Sequence, residues 1–596
     1  MTARRKILVL DGDTGAALTI VQSLGRAGYD VWLAGPENAK PGKAFTSRFV
    51  AEKAFYPDPL VDKRAFTDWI LALQRTQQFA LIVPPSERTL TPLHEIRADL
   101  GSAAGALPPD DAYALGFDKE SMRRLCESLG IPVPPNLTIA APADLSLPSA
   151  TVLDDWLRDG AVVCKSVRSK AWRGERAAEH AVQMVLDRAT LTDVAGRMLV
   201  DAEVQLQRWV PGRGVGVELL ADHGEVVLFF AHERVHELPL TGGGSSYRRA
   251  VTPPPKMLED AKRLMRALRW HGVAMVEFRR ELTTSDGDYW MIELNGRFWG
   301  SLPLAQFAGV DFPLALVELI LDGKRPATPR PRRVYARQLS RDVQWLKSMT
   351  RVRIGDLRRL VQRRPAPTSR RLVLGRPLGQ SLVEWGRVLL GREVWDGAAL
   401  DDPRPIWTEC KALVEHELGA LFRRGEDRLL ALGAQRAWTR PLFADTTKIL
   451  VLCSGNICRS PYAALRLAQG GRFEVRGAAL VGPAGNPTPD HVQQAARARG
   501  IELGDHCARL VSDDDLAWAE LILIMDAGHA RRMRQWPEVR HKVRWLGAVE
   551  AGQSSIADPI DLDLAATDEV LAQIDRAVKI IHATVHETNP GCTRRL

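Results

Sequence analysis

Apolar residues fall into short runs bounded by turn residues along most of the chain. Residues 6–35, KILVLDGDTGAALTIVQSLGRAGYDVWLAG, read as an apolar strand, a Gly-containing turn, a helix with one apolar face and a second strand at 31–33. A third strand is expected at 81–83, so the opening predicts an open parallel sheet built from βαβ units. From about Gly116 the texture changes. FDKESMRRLCESLG reads as a helix stopped by Gly130 and the prolines beyond it, and strands are expected at 161–165, 204–210 and 215–220, alternating with helices to Gly300. At Lys448 the first pattern restarts: KILVLCSGNICRSPYAALRLAQ is strand, turn and helix, and 521–525 is a further buried strand. The fold class is therefore α/β in four parts: a βαβ domain at 1–110, an α+β domain at 111–328, a basic and mainly helical connector at 329–445, and a parallel-sheet α/β domain at 446–596.

Composition narrows this picture without changing it. Of 596 residues, 45% are hydrophobic and 26% charged, the ordinary globular balance, which excludes a disordered or fibrous chain. No apolar run approaches the roughly 20 residues of a membrane span. The start offers four apolar residues, 7–10, against about 7–15 in a signal peptide, so a cytoplasmic location is expected. Seven scattered cysteines fit a reducing compartment.

Charge is uneven. Residues 330–393 hold 17 Lys or Arg against 4 Asp or Glu, an excess of +13, which leaves the remainder at −4 against +9 for the whole chain. Trp345, Leu346, Leu357, Leu360, Trp385 and Leu390 are interleaved there. The segment suits either a solvated helix face or peripheral contact with the anionic inner membrane surface. No nucleic-acid motif accompanies it, and no nucleic-acid partner is expected.

The sharpest chemical signal is Cys453-Ser454-Gly455-Asn456-Ile457-Cys458-Arg459-Ser460-Pro461, directly after an apolar strand. Five residues between Cys453 and Arg459 let the backbone curl so that its N–H groups converge on one phosphate, with the helix start at Ser460-Pro461 adding the positive end of a dipole. Cys453 is then the thiolate nucleophile, forming a phosphocysteine, and Arg459 the planar fork for phosphate oxygens. Asp558, in SSIADPIDL, is the candidate acid for the leaving oxygen. The constellation resembles the low-molecular-weight protein tyrosine phosphatases over roughly 446–590. The resemblance implies Cys453, Arg459 and Asp558 as catalytic residues and a phosphotyrosine protein as substrate. It further implies that Asn456 props the loop, Ser460 assists the thiolate, Cys458 can trap Cys453 as a disulfide, and His506 and Asp526 support the site. Ile457 stands where relatives acting on phosphoarginine tend to carry Thr, and Ile560-Asp561 follow the Asp-Pro pair where the family often has an aromatic residue.

A second constellation is more dispersed. Glu277 lies in AMVEFRR, and Glu293 and Asn295, two apart in MIELNGR, share one strand face with Arg297. Two carboxylates and an amide oxygen make a hard oxygen site suited to magnesium. Lys165 ends a strand, Lys119 starts a helix, and VQLQRWVPGRG reads as a strand turning at a hinge. In this order the parts resemble the ATP-grasp superfamily across roughly 1–325, with 1–110 as the pre-ATP-grasp domain. The resemblance implies that Lys119 and Lys165 hold phosphates and that Gln207, Trp209 and Val210 line the adenine site. Arg297 contacts a phosphate, and Glu277, Glu293 and Asn295 hold magnesium, or manganese in its place. The reaction implied is activation of a small-molecule carboxylate by ATP to an acyl phosphate, which an amine or thiol attacks. The expectation is a bifunctional enzyme, ligase and phosphatase; the alternative is an ATP-binding sensor module that regulates the phosphatase. The earlier turn Gly12-Asp13-Thr14-Gly15 lacks the GxGxxG spacing of a dinucleotide site.

Overall fold

The opening pattern folds as its periodicity dictates. In the computed structural model, β1 (Lys6–Val9), α1 (Gly15–Arg26), β2 (Asp30–Pro36), β3 (Glu52–Tyr56) and β4 (Leu81–Val83) build a parallel sheet of order β3-β2-β1-β4. The structure describes residues 4–168, 170–174, 176–240, 242–281, 288–327, 329–361, 384–388, 390–438, 446–550, 554–560, 562 and 564–588. They group into two units, 1–413 and 414–596. The turn after β1 is closed by its own carboxylates. Asp11, in the left-handed region at φ 51°, accepts from Tyr56 Oη, Ser86 N, Arg88 Nε and Thr89 Oγ1, and Asp13 pairs with Arg88. The segment 12–15 is thus an anchored strand-to-helix turn.

Beyond it, α2 (Lys119–Ser128), capped by Asp118, leads to an antiparallel sheet of β5 (Asn136–Ile139), β6 (Val162–Ser166), β7 (Gln183–Val185) and β8 (Val204–Arg208), in the order β5-β8-β6-β7. A seven-stranded sheet follows: β9 (Arg213–Asp222), β10 (Glu225–Leu238), β11 (Gly244–Ala250), β12 (Gly272–Arg280), β13 (Tyr289–Asn295), β14 (Tyr335–Arg337) and β15 (Glu393–Trp395), ordered β13-β12-β9-β10-β11-β14-β15. The helix α3 (Pro255–Leu268) covers one face and buries Met257, Leu264 and Met265 with Val276, Phe278 and Leu294 of β12 and β13. Each such side chain contributes about 1.5–3 kcal/mol. Because side chains alternate along a strand, burying Val276 and Leu294 against α3 delivers Glu277, Glu293 and Asn295 to the opposite face.

Part of the basic segment is woven into this sheet as β14 and β15, while α4 (Leu339–Val361) is helical. Several of its charges are internal pairs and not solvated ones. Arg337 donates to Glu393 at 2.6 Å and pairs with Asp342, all three side chains being buried, and just outside the segment the buried Arg248 meets Asp396 at 2.6 Å. Trp345, one of the aromatics expected at an interface, is instead core: it is 1% exposed and stacks on His236 at 3.5 Å. Residues 362–383 lie outside the described residues, and the side chains of Leu357, Leu360 and Trp385 are likewise not described. Among the described residues no single helix is long and apolar enough to cross a membrane.

The helix α5 (Arg404–Arg436) precedes the last sheet, formed by β16 (Lys448–Cys453), β17 (Glu474–Ala479), β18 (Leu521–Ile524) and β19 (Val543–Trp545). All pairings are parallel, in the order β17-β16-β18-β19, with α6 (Arg459–Ala468) after β16 and α7 (Leu564–Thr588) packed on the core. The expected α/β class, with a parallel carboxy-terminal sheet, is borne out.

Candidate active sites

In the second unit, β16 ends at Cys453 and α6 begins at Arg459, so the intervening turn must reverse within a few residues. Asn456 makes the reversal at φ 52°, a conformation that asparagine tolerates better than most side chains. Its side chain then fixes the loop: Nδ2 donates to Ser460 Oγ at 2.8 Å, and Oδ1 accepts from Arg509 N at 3.1 Å. His506 Nε2 holds the Asn456 carbonyl at 2.6 Å. At the centre, Cys453 Sγ accepts from Asn456 N–H at 3.2 Å and lies 3.0 Å from Ser460 Oγ.

Arg459, at the end of the same loop, is 2% exposed. Its Nη1 donates to Asp526 Oδ2 at 2.9 Å and to the Ile556 carbonyl at 3.0 Å, and Nη2 pairs with Asp558. Its Nε is buried with no hydrogen-bond partner. A buried guanidinium N–H without an acceptor is costly unless an oxygen arrives to meet it, and an oxyanion meets that need. The structure thus ties Cys453, Asn456 and Ser460 together by hydrogen bonds within one loop and adds Asp558, paired with Arg459 from 99 residues further along the chain. Cys458 is also buried, and burial pushes its thiol up to about 12, so it is a neutral thiol at physiological pH. Asp561 lies outside the described residues.

Sequence reasoning missed His529. Its Nδ1 accepts from Met525 N at 3.3 Å, so Nε2 carries the proton and donates to Ser454 Oγ at 3.0 Å. Burial holds this imidazole well below its ordinary value, against the pull of Asp526, and keeps it neutral. The signal available was its place three residues after Asp526, where the helix cap draws both side chains to the loop.

In the first unit, a cavity of about 480 Å³ is lined by Lys165, Gln207, Trp209, Val210, Glu277, Glu293, Asn295 and Arg297. The register explains the acidic cluster: Glu277 lies directly opposite Glu293, and Met275 opposite Asn295. Past β8 the chain bends at Gly212 with φ 113°, where a Cβ would stand 2.2 Å from the Arg280 carbonyl oxygen, so only glycine fits. Lys165 Nζ donates to Gln207 Oε1 at 2.9 Å, and Lys119 Nζ lies 3.7 Å from Glu293. Lys119 lines a smaller adjoining pocket with Gln207 and Glu293.

Arg234 and Arg279 also line the large cavity and were not anticipated. Arg234 pairs with Glu277 at 2.5 Å and donates to the Gly243 carbonyl at 2.7 Å. The pattern that would have revealed it is the repetition of basic side chains at 232, 234 and 236 of a central strand. Trp209 Nε1, Arg234 Nε, Arg279 Nη2 and Arg297 Nε are buried donors without partners, a surplus suited to an anionic, heteroatom-rich ligand.

Burial pushes the Lys165 ammonium down to about 8, although Glu293 pulls it up. Its charge is therefore present below that pH and is lost as pH rises through it. A phosphate-holding role for Lys165 predicts that apparent ATP affinity weakens by up to about tenfold per unit above pH 8. Isothermal titration over pH 7–9.5 checks this: Lys165→Arg, which stays charged, should flatten the profile, and identical profiles would remove Lys165 from the phosphate site.

The profile of the family described as low molecular weight phosphotyrosine protein phosphatase matches residues 448–590, and that described as ATP-grasp in the biosynthetic pathway with Ter operon matches residues 201–347. The low molecular weight protein-tyrosine-phosphatase Ptp of Acinetobacter johnsonii is 33% identical over 132 residues, 22% of this chain and 92% of that protein. The protein-arginine-phosphatase of Geobacillus stearothermophilus is 33% identical over 137 residues, again 22% of this chain and 92% of that protein. The L-amino acid ligase of Bacillus licheniformis has a TM-score of 0.40 and 18% identity, covering 54% of this chain and 75% of that one.

Proposed function

Because the chain belongs, through residues 448–590, to the low molecular weight phosphotyrosine protein phosphatases and carries an ATP-grasp domain ahead of them, we propose a bifunctional enzyme: a Cys-dependent phosphotyrosine protein phosphatase joined to an ATP-dependent carboxylate–amine or carboxylate–thiol ligase. The observation that carries the phosphatase reading is the donor set around Cys453, in which Asn456 N–H faces the sulfur and Arg459 Nε is buried and unmatched.

In the phosphatase half, Arg459 binds two phosphate oxygens while Cys453 Sγ attacks phosphorus. The S–P bond forms as the P–O bond to the tyrosine ring breaks, and Asp558 gives its proton to the departing oxygen. Asp558 then takes a proton from water, which attacks phosphorus, breaks the S–P bond and returns the thiolate. Ser460 and Asn456 hold the sulfur and the loop. Ile457, where relatives acting on phosphoarginine tend to carry Thr, supports phosphotyrosine as substrate over the phosphoarginine that one relative's name implies. Replacing Asp558 with Asn should slow phenyl phosphate, a poor leaving group, about 10²–10³-fold and para-nitrophenyl phosphate far less. Equal slowing of both would take the acid role from Asp558.

In the ligase half, Glu277, Glu293 and Asn295 offer oxygen donors on one sheet face, a set that fits magnesium or manganese. When bound, the ion supplies charge neutralisation at the transferring phosphate. Lys165 and Lys119 orient the phosphates, Gln207, Trp209 and Val210 receive the adenine, and Arg297 faces the phosphoryl group as it moves. A second cavity of about 380 Å³ shares Glu293, Asn295 and Arg297 with the first and reaches Asp13, Arg88 and Lys170. Its mixed charges suit an acceptor bearing both carboxylate and amine. ADP release on adding matched carboxylate and nucleophile supports ligation; nucleotide binding without turnover across a broad acceptor panel would replace the ligase with an ATP sensor.

A further inference from the structure

Three ligand-bearing side chains converge at the far end of the seven-stranded sheet, away from both cavities. Asp222 and His223 form the tip of the β9–β10 hairpin, and His271 sits in the turn before β12. One ligand atom from each lies within 4.8 Å of the other two. We propose that Asp222, His223 and His271 bind a borderline divalent cation of the zinc, cobalt or nickel type, with water in the fourth position.

Four observations carry this. First, the spacing is right. Tetrahedral zinc with bonds of about 2.0–2.1 Å separates its ligand atoms by about 3.3–3.4 Å. His271 Nδ1 stands 3.5 Å from Asp222 Oδ1, and His223 Nε2 is 4.0 Å from the same oxygen. The remaining closure falls to His223, whose side chain is 76% exposed and free to turn.

Second, the buried His271 Nδ1 meets only the long contact to Asp222 Oδ1 at 3.5 Å and no well-formed hydrogen bond, so a shared ion between the two would satisfy it.

Third, the two turns are already registered to each other. Gly224 N donates to the Trp270 carbonyl at 2.7 Å, which ties the hairpin tip to the turn at His271; the His223 ring, stacked 4.4 Å from His271 and 18° from parallel, has to swing out of that stack to bring Nε2 to a shared ion. His223 takes φ 48° and Gly224 φ 96°, so the hairpin tip is tightly wound and presents His223 toward the neighbouring turn.

Fourth, Asp222 has the outer partner expected of a ligating carboxylate: Arg325 donates to Oδ2 at 2.8 Å, leaving Oδ1 directed at the histidines. Glu225 shares that arginine at 2.8 Å.

The site is independent of the proposed ligase chemistry. Gly272, at the start of β12, is five residues from Glu277, about 17 Å at strand spacing. An ion there would clip the hairpin tip to the strand that supplies Glu277.

The test is competition for zinc against a chromophoric chelator. It uses the full chain carrying Cys453→Ser, to remove the reactive thiolate, in excess magnesium, to occupy the hard oxygen site. His271→Ala and His223→Asn should each bind one equivalent of zinc fewer than the parent; asparagine keeps the left-handed turn, so His223→Asn reads the site even if His271→Ala misfolds. Arg325→Ala should weaken the same equivalent roughly 10–100-fold. Glu293→Ala should leave the zinc count unchanged. Equal zinc stoichiometry in the parent and both histidine variants, with native circular dichroism, would overturn the proposal.

Discussion

Replacing Cys453 with Ser should lower kcat for para-nitrophenyl phosphate by roughly 10⁴-fold or more. Oxygen fits the space, since the side chain is 2% exposed at the end of β16 and its neighbours Asn456 N–H and Ser460 Oγ can bond to either atom. The cost to stability should therefore be within about 1 kcal/mol. A serine hydroxyl is not ionised at neutral pH, and the nearby His529 pairs with Ser454 and not with residue 453. Binding should survive, as Arg459 is unaffected. Inorganic phosphate or vanadate should still protect the variant against thermal unfolding. Loss of both turnover and anion binding would mean the loop itself had collapsed, and retained turnover would exclude a sulfur nucleophile.

The second large effect is expected at Glu293. Changing it to Ala should reduce acceptor-dependent ADP release about 10³-fold, equivalent to roughly 4 kcal/mol at 1.36 kcal/mol per factor of ten. Two causes add. Glu293 is an oxygen donor facing Glu277 across neighbouring strands, so its loss breaks the hard-ligand set. It is also the strongest influence holding Lys165 up against burial. Without it the Lys165 charge should be lost at a still lower pH, weakening ATP binding near neutrality and shifting the affinity profile toward acid. The fold should persist, because Glu293 is one-third exposed and the apolar partner of its strand, Leu294, remains in the α3 core. Steady-state ADP release and isothermal titration at pH 6.5 and 8 separate the two causes. Unchanged release would remove Glu293 from the reaction.

The carboxy-terminal site was legible because its chemistry is nearly contiguous. Strand, reversal and helix within residues 448–468 force Cys453 and Arg459 into one curl, and Asn456 is the residue type that a left-handed reversal favours. Asp558 stood out as an acid in an Asp-Pro loop, but its place beside that curl followed from the family resemblance, since nothing local brings it to Arg459 from 99 residues away. The acidic cluster of the first unit was half legible. Two-residue spacing puts Glu293 and Asn295 on one face, but that Glu277 stands opposite Glu293 depends on strand register, which a sequence does not display.

Arg234 stayed hidden for a related reason. A basic residue in a strand reads as solvent-facing until the structure shows it clasping Glu277 and Gly243. Counting charge over 330–393 misled in the same way: Arg337, Asp342 and Glu393 are internal pairs that join β14 to its neighbours, and Trp345 packs on His236. Net charge along a segment does not distinguish solvated from paired side chains.

Rapid quenching of the Asp558→Asn enzyme during turnover of an aryl phosphate, followed by peptide mass analysis, should find one phosphoryl group on the peptide bearing Cys453. That adduct should disappear in the Asp558→Asn chain that also carries Cys453→Ser. Phosphate recovered on another residue, or steady turnover in the Cys453→Ser chain with no sulfur adduct at any time, would contradict the assignment of Cys453 as the group that takes the phosphate.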